Sequence, residues 1–112
     1  MTPRVLWIPF EVEDLDQTTH FYTDRIPLSA VDGWAPDGER GVVPRIAERA
    51  VIEPVSPEAG HPPPLAVEHA DESEVDSVWW AGAGAPHRHP RGHYGFTARG
   101  PAGMDAMLRS ER

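Results

Sequence analysis

Hydrophobic and polar positions change period several times along the 112 residues. From Arg4 to Val12 they follow period two, with Ile8, Phe10 and Val12 on one face and Trp7, Pro9 and Glu11 on the other, which predicts a strand. Pro9 has no amide hydrogen for a ladder, so this strand is expected at a sheet edge or locally unpaired. Asp14, with Gln17 three residues on, has the spacing of a helix N-cap. Leu15, Phe21, Tyr22 and Ile26 then fall on a helical stripe that Pro27 ends. Alternation returns over Leu28–Trp34, bounded by Asp32-Gly33 and Pro36-Asp37-Gly38, both good turn chemistry. Two more short strands are predicted over Gly41–Arg45 and Arg49–Val55. Pro57–Pro64, with three consecutive prolines, reads as a stiff connector.

After the connector the order repeats. Leu65–Ala70 is a strand candidate in which His69 shares the parity of Leu65 and Val67, as a half-buried histidine would under a helix. Asp71 and Glu74 restate the cap spacing. Glu72–Ala81 is a short helix with Val75, Val78 and Trp79 on one side, closed by Gly82 and Gly84. His93–Ala98 alternates as a strand, Gly100-Pro101-Ala102-Gly103 is a turn, and Met104–Arg109 suits either a last strand or a helix. Strand, helix, then strands therefore occur twice, once around each Asp cap, as an internal repeat.

Composition narrows the chemistry. The chain has no cysteine, which excludes disulfides, thiolate metal sites and a cysteine nucleophile. Eighteen acids stand against ten arginines and no lysine, for a net charge of −8. Without lysine there is no Schiff-base chemistry, and without a basic face nucleic acid is not the expected partner. Thirteen prolines and ten glycines imply short elements and many turns. No apolar run reaches the length of a membrane helix and the first residues lack a signal-peptide layout, so no membrane association and a cytoplasmic location are expected.

Glu13-Asp14-Leu15, followed by Phe21-Tyr22-Thr23-Asp24-Arg25-Ile26-Pro27-Leu28, resembles the pattern of the vicinal oxygen chelate superfamily, the glyoxalase, bleomycin-resistance and extradiol-dioxygenase group. Proline replaces that pattern's usual glycine at position 27, and Gly100-Pro101-Ala102-Gly103 is similar to its turn before the last strand. The resemblance implies an α+β fold of two βαβββ modules, about residues 3–56 and 64–110 around a connector at 57–63. Their mixed sheet would curl into a cup, in a homodimer.

Members of that superfamily commonly hold a divalent metal on four strands. The matching positions here are Trp7, Pro64, Met107 and Glu53, of which Glu53 alone has a suitable side chain. The implied protein is therefore a metal-free member with no cofactor. His87, His89 and His93 have a spacing that can bind zinc on a strand, but the flanking prolines and Gly92 also suit a solvated loop. His20 and His61 read as surface histidines.

With the metal gone, the ligand side of the cup is expected to carry Trp7, Pro9 and Glu11 from the first strand and Pro64, Ala66 and Glu68 from its repeat. Glu53 and Met107 join them, with Trp34, Trp80, Tyr94 and Phe96 as aromatic surface, while Phe21, Tyr22 and Trp79 are assigned to the core. The expected function is sequestration of a planar aromatic natural product, neutral or cationic, in the manner of antibiotic-resistance proteins. A metal-free cyclase or isomerase using Glu11 or Glu68 as general acid or base is the alternative. A structural module whose cup is filled by its own side chains is the third reading.

Overall fold

The computed structural model describes residues 3–35, 38–59, 61–89 and 92–111, so the expected turn residues Pro36 and Asp37, Gly60 of the connector, and Pro90 and Arg91 of the histidine stretch lie outside the description. The chain is α+β. It runs β1 (Val5–Glu11), α1 (Leu15–His20), a π-helical turn (Phe21–Arg25), β2 (Ala30–Trp34), β3 (Gly41–Ala47), β4 (Ala50–Val55), β5 (Leu65–His69), α2 (Glu72–Val78), β6 (His87–Arg88), β7 (Tyr94–Ala98) and β8 (Ala106–Ser110). Hydrogen bonding orders the strands β2-β3-β4-β1-β5-β8-β7-β6 in a mixed sheet. Among the described residues no helix is long and apolar enough to cross a membrane.

Contacts divide the chain into two compact units. The first is Trp7–Pro62; the second is Pro63 onward together with the residues up to Leu6. β1 serves both. The Arg4 amide donates to the Glu68 carbonyl at 2.7 Å, and the Val12 amide donates to the Val55 carbonyl at 2.9 Å. This corrects the expectation of an edge strand: β1 lies between β4 and β5 in the order, and Pro9 is buried. Its missing donor falls on the stretch between those two bonds.

In the first unit, Asp14 caps α1 as its spacing predicts, accepting from the Gln17 amide at 2.9 Å. The helix then changes pitch. The Ile26 amide reaches the Phe21 carbonyl, five residues back, at 2.9 Å. Tyr22 packs edge to face on Phe10, with ring centroids 6.4 Å apart, so α1 and its π turn cover the Phe10 and Val12 side of β1. Phe21 is not core. It is 49% exposed, because six residues after Leu15 ordinary helical spacing turns it well off the face that Leu15 and Tyr22 share.

In the second unit, Asp71 caps α2 through the Glu74 amide at 3.0 Å. α2 ends earlier than expected: Trp79 is already extended (ψ 147°) and 40% exposed, so the stop comes before the glycines. Val75, Phe96 and Ala98 form the core, with Val78, Ala83, Tyr94 and Leu108 packed against it. His69 is 3% exposed, with Nδ1 3.5 Å from Glu74 on α2, as its parity predicts. The last segment is a strand, parallel to β5 and antiparallel to β7. The histidine stretch is not a plain loop, since β6 pairs His87 with Gly95 and Arg88 with Tyr94.

One consequence is measurable. The Tyr94 hydroxyl donates to Asp76 at 2.6 Å. That bond, then burial and the Asp76 charge, hold the phenol above its ordinary 10.0, with Arg88 opposing. The bond's stabilising effect is complete below pH 10.0 and is lost as pH rises through the folded-state value. Ultraviolet titration should show Tyr94 ionising after the unfolded-chain tyrosines, and Asp76→Asn should bring it back down.

Candidate functional site

Each sheet face can be assigned from what the helices cover. In the first unit α1 covers Phe10, so Trp7, Pro9 and Glu11 lie on the opposite face of β1. The Val12–Val55 bond places β4 alongside β1 only if the two run parallel, which puts Val51, Glu53 and Val55 on the face of Glu11. β3 adds Gly41, opposite Val55, and Arg45, opposite Val51, so that Val43 stands opposite Glu53. β2 adds Trp34, opposite Gly41.

This face, the one opposite α1, is apolar and buried. Trp7 is 6% exposed, Val43 0%, Val51 3% and Val55 5%, and Pro9 is buried with them. Glu53 sits among them at 2% exposure. A carboxyl there has lost nearly all contact with water, which is costly unless the protein supplies partners. Trp34, half-buried, lays its indole over Gly41: a Cβ on that residue would come within 2.1 Å of the ring. Glu11 stands at the end of the face with 32% of its side chain exposed, and His61 Nδ1 lies 3.3 Å from its carboxylate.

In the second unit α2 covers Phe96 and Leu108, so the opposite face carries Ala66 beside Met107 and Glu68 beside Arg109. Ala66 and Met107 are buried. Glu68 is 3.9 Å from Arg4, and the Arg109 side chain, 3% exposed, donates through Nε to Glu111 at 2.9 Å. Gly95 faces Arg109 at close range, since a Cβ there would lie 3.0 Å from that of Arg109. Next to Gly95 come His87, His89 and His93. Their rings stack at centroid distances of 4.1 Å (His87–His89) and 4.5 Å (His89–His93, 7° between planes).

The expected ligand-side residues therefore divide. Trp7, Pro9, Glu11, Trp34 and Glu53 share the first unit's face opposite α1, and Ala66, Glu68 and Met107 the second unit's face opposite α2. Pro64 precedes β5 and is exposed. Tyr94, Phe96 and Trp80 do not share either of these faces. Phe96 is core against Val75, Tyr94 bonds to Asp76 of α2, and Trp80 meets Phe96 edge to face at 5.9 Å. All three stand on the helix-covered side, because parity on β7 is set by Phe96. Arg109 was missed, although it lies two residues beyond Met107 on one strand and so shares its face.

A divalent metal does not fit the superfamily's four positions. An indole, a proline ring and a thioether replace three ligands, and only the carboxylate of Glu53 is a hard donor. The histidine stack offers no substitute. Nearly parallel rings direct their nitrogens side by side rather than at one point, and among the described residues no group of three or more His, Asp or Glu could hold a metal ion.

No family model matches the sequence, and no curated protein matches it. Solved structures do. Methylmalonyl-CoA epimerase in complex with methylmalonyl-CoA and an ammonium ion aligns at TM-score 0.72 and 16% identity, over 98% of this chain and 95% of that one. A variant of the Streptomyces coelicolor epimerase in complex with 2-nitronate-propionyl-CoA gives TM-score 0.72 and 16% identity, with 98% of each chain covered. A hypothetical protein from Bacillus halodurans aligns at 0.72 and 16%, over 100% of this chain and 96% of that one. At these identities the likeness shows the fold, which is the vicinal oxygen chelate fold.

Gly41→Ala tests the indole's seat. The added methyl has no room beside the Trp34 ring, so the variant should lose about 1–3 kcal/mol in urea unfolding and its tryptophan emission should shift to the red as the indole is displaced toward water.

Proposed function

We propose that the chain is a metal-free binding protein for a small planar aromatic molecule, neutral or cationic, held beside Trp34 and Glu11 at the margin of the face opposite α1 in the first unit. Sequestration of a natural product is the corresponding role. One observation carries this reading: a floor of Trp7, Pro9, Val43, Val51 and Val55 surrounds the single carboxylate of Glu53, with the Trp34 indole over Gly41 at its side. Apolar walls with few placed polar groups are what small-molecule sites are made of. Trp7 serves as floor, since it is already 6% exposed, and Trp34 is the indole able to stack on a ligand. Glu53, Glu11 and the net charge of −8 favour a positive or neutral ring over an anion. Structural neighbours solved with small organic molecules support the fold as a holder of such ligands.

A proton-transferring enzyme is the second reading, and the burial of Glu53 favours it. Glu11 and Glu68 lie near His61 and Arg4 at the margins of their faces, whereas Glu53 is the carboxyl set in an apolar floor. On this reading Glu53 is the acid or base.

The test is a binding screen with planar aromatic probes of positive, neutral and negative charge, followed by tryptophan quenching, with metal analysis of the same protein. Saturable binding of the cationic or neutral probe is expected, with the probe recovered unchanged and no bound metal. Trp34→Ala should weaken it by about 1–3 kcal/mol. Stoichiometric metal whose removal abolishes binding would sink the proposal. Conversion of the probe, lost in Glu53→Gln, would replace it with the enzyme reading.

A further inference from the structure

Two part-exposed tryptophans follow directly on the end of α2, and contact with Phe96 puts Trp80 on the side away from Glu68 and Met107. Trp79 is 40% exposed and Trp80 50%. Neither ring is loose. Trp80 meets Phe96 edge to face, with planes at 87° and centroids 5.9 Å apart, and Phe96 is 1% exposed, so this indole is braced on the core of the second unit. Trp79 donates from Nε1 to the Ala83 carbonyl at 3.4 Å, and the Ala83 amide donates to the Trp80 carbonyl at 3.0 Å. Gly82 lets the backbone pass close to Trp80, since a Cβ there would lie 3.3 Å from its Nε1. Ala81-Gly82-Ala83-Gly84 carries nothing larger than a methyl, so the loop that fixes both rings does not cover them.

The charge around this shelf is negative. α2 presents Glu72, Glu74 and Asp76 and has no basic residue in its last turn. Asp76 accepts from Tyr94, and Tyr94 and Phe96 are successive residues on one face of β7, so the Asp76 carboxylate and the Trp80 indole are on the same side of the strand. The positive groups on that side are accounted for. Arg88 is ion-paired with Glu72 and lies 5.5 Å from the Tyr94 ring centroid, and His69 is against Glu74. Among these described residues, three acids of α2 thus stand with one arginine.

The geometry points to a second binding site, for a small planar organic cation, on the Trp79–Trp80 shelf. The braced indoles offer their negative faces to a delocalised positive charge, and the carboxylates of α2 add attraction from the side. A neutral ring would keep the stacking and lose the charge; an anion would be repelled. The site shares no residue with the first unit's face opposite α1 and does not depend on what binds there.

Proton–nitrogen correlation spectra of the full chain test it, because the four indole N–H groups give separate signals that single Trp→Phe variants assign. N-methylquinolinium is the cationic probe, with quinoline at neutral pH and quinoline carboxylate as its neutral and anionic counterparts. Saturable shifts are expected at Trp79 and Trp80, with the cation binding about threefold or more tighter than quinoline at low salt. That margin should narrow with added sodium chloride. Trp80→Leu, which keeps an apolar contact on Phe96, should abolish the saturable shift at Trp79. Absence of saturable shifts at Trp79 and Trp80, equal affinity for all three probes, or unchanged binding in Trp80→Leu would overturn the proposal. Shifts at Trp34 report the first unit's face separately, so either site can fail without the other.

Discussion

Which half of each strand becomes core is decided by what its helix covers, and the rest of the molecule follows from that choice. Phe96 under Val75 settles β7, and register then assigns Leu108 to the covered side of β8 and Met107 and Arg109 to the opposite side. The parallel pairing of β5 with β8 carries the assignment on to Ala66 and Glu68. Phe10 against Tyr22 does the same in the first unit, turning Trp7, Pro9 and Glu11 outward from α1. With a period of two, a slip of one residue would exchange Phe96 for Thr97 and Met107 for Leu108 and leave polar atoms under α2.

Charge is distributed to the margins of this arrangement. Arg4 with Glu68, Arg40 with Asp16, and Arg88 with Glu72 are partly exposed pairs, and such pairs add little to stability. Their effect is on where negative charge is left. Arg40 holds the Asp16 carboxyl below its usual range through a hydrogen bond and its charge, and the same contacts raise Arg40. Glu74 and Asp76 on α2, by contrast, answer to a histidine and a phenol, so the acidic excess of the chain is felt along that helix.

Much of this was legible in the sequence, for identifiable reasons. Both Asp caps and the repeat they begin have local chemistry that needs no tertiary contact, and the structure reproduces them. The parity of β1, and of His69 on β5, could be read because each strand alternates cleanly. What failed depended on long-range facts. Pro9 argues for an edge or a local gap in pairing, and the edge is excluded only once β4 and β5 are known to flank β1. Tyr94 and Phe96 were placed with the ligand side because nothing in their own segment says which parity α2 covers. β6 escaped notice because two residues among prolines make a strand only once β7 is there to pair with. Phe21 was given to the core although six residues from Leu15 turn it off that face, and Trp79 by a helical spacing that the early end of α2 breaks.

The apolar floor also accounts for how helices of six and seven residues suffice to organise these units. Such helices cover little sheet, so the opposite face must contribute burial of its own. A face lined with metal ligands cannot do so, because each buried polar ligand without its cation costs about 1–3 kcal/mol. Trp7, Pro9, Ala66 and Met107 on these faces remove apolar area from water and add to stability. Glu53, at 2% exposure opposite Val43 and between Val51 and Val55, is the charged residue buried in the first unit's face, and its burial is favourable only as far as the partners it keeps offset the water it loses.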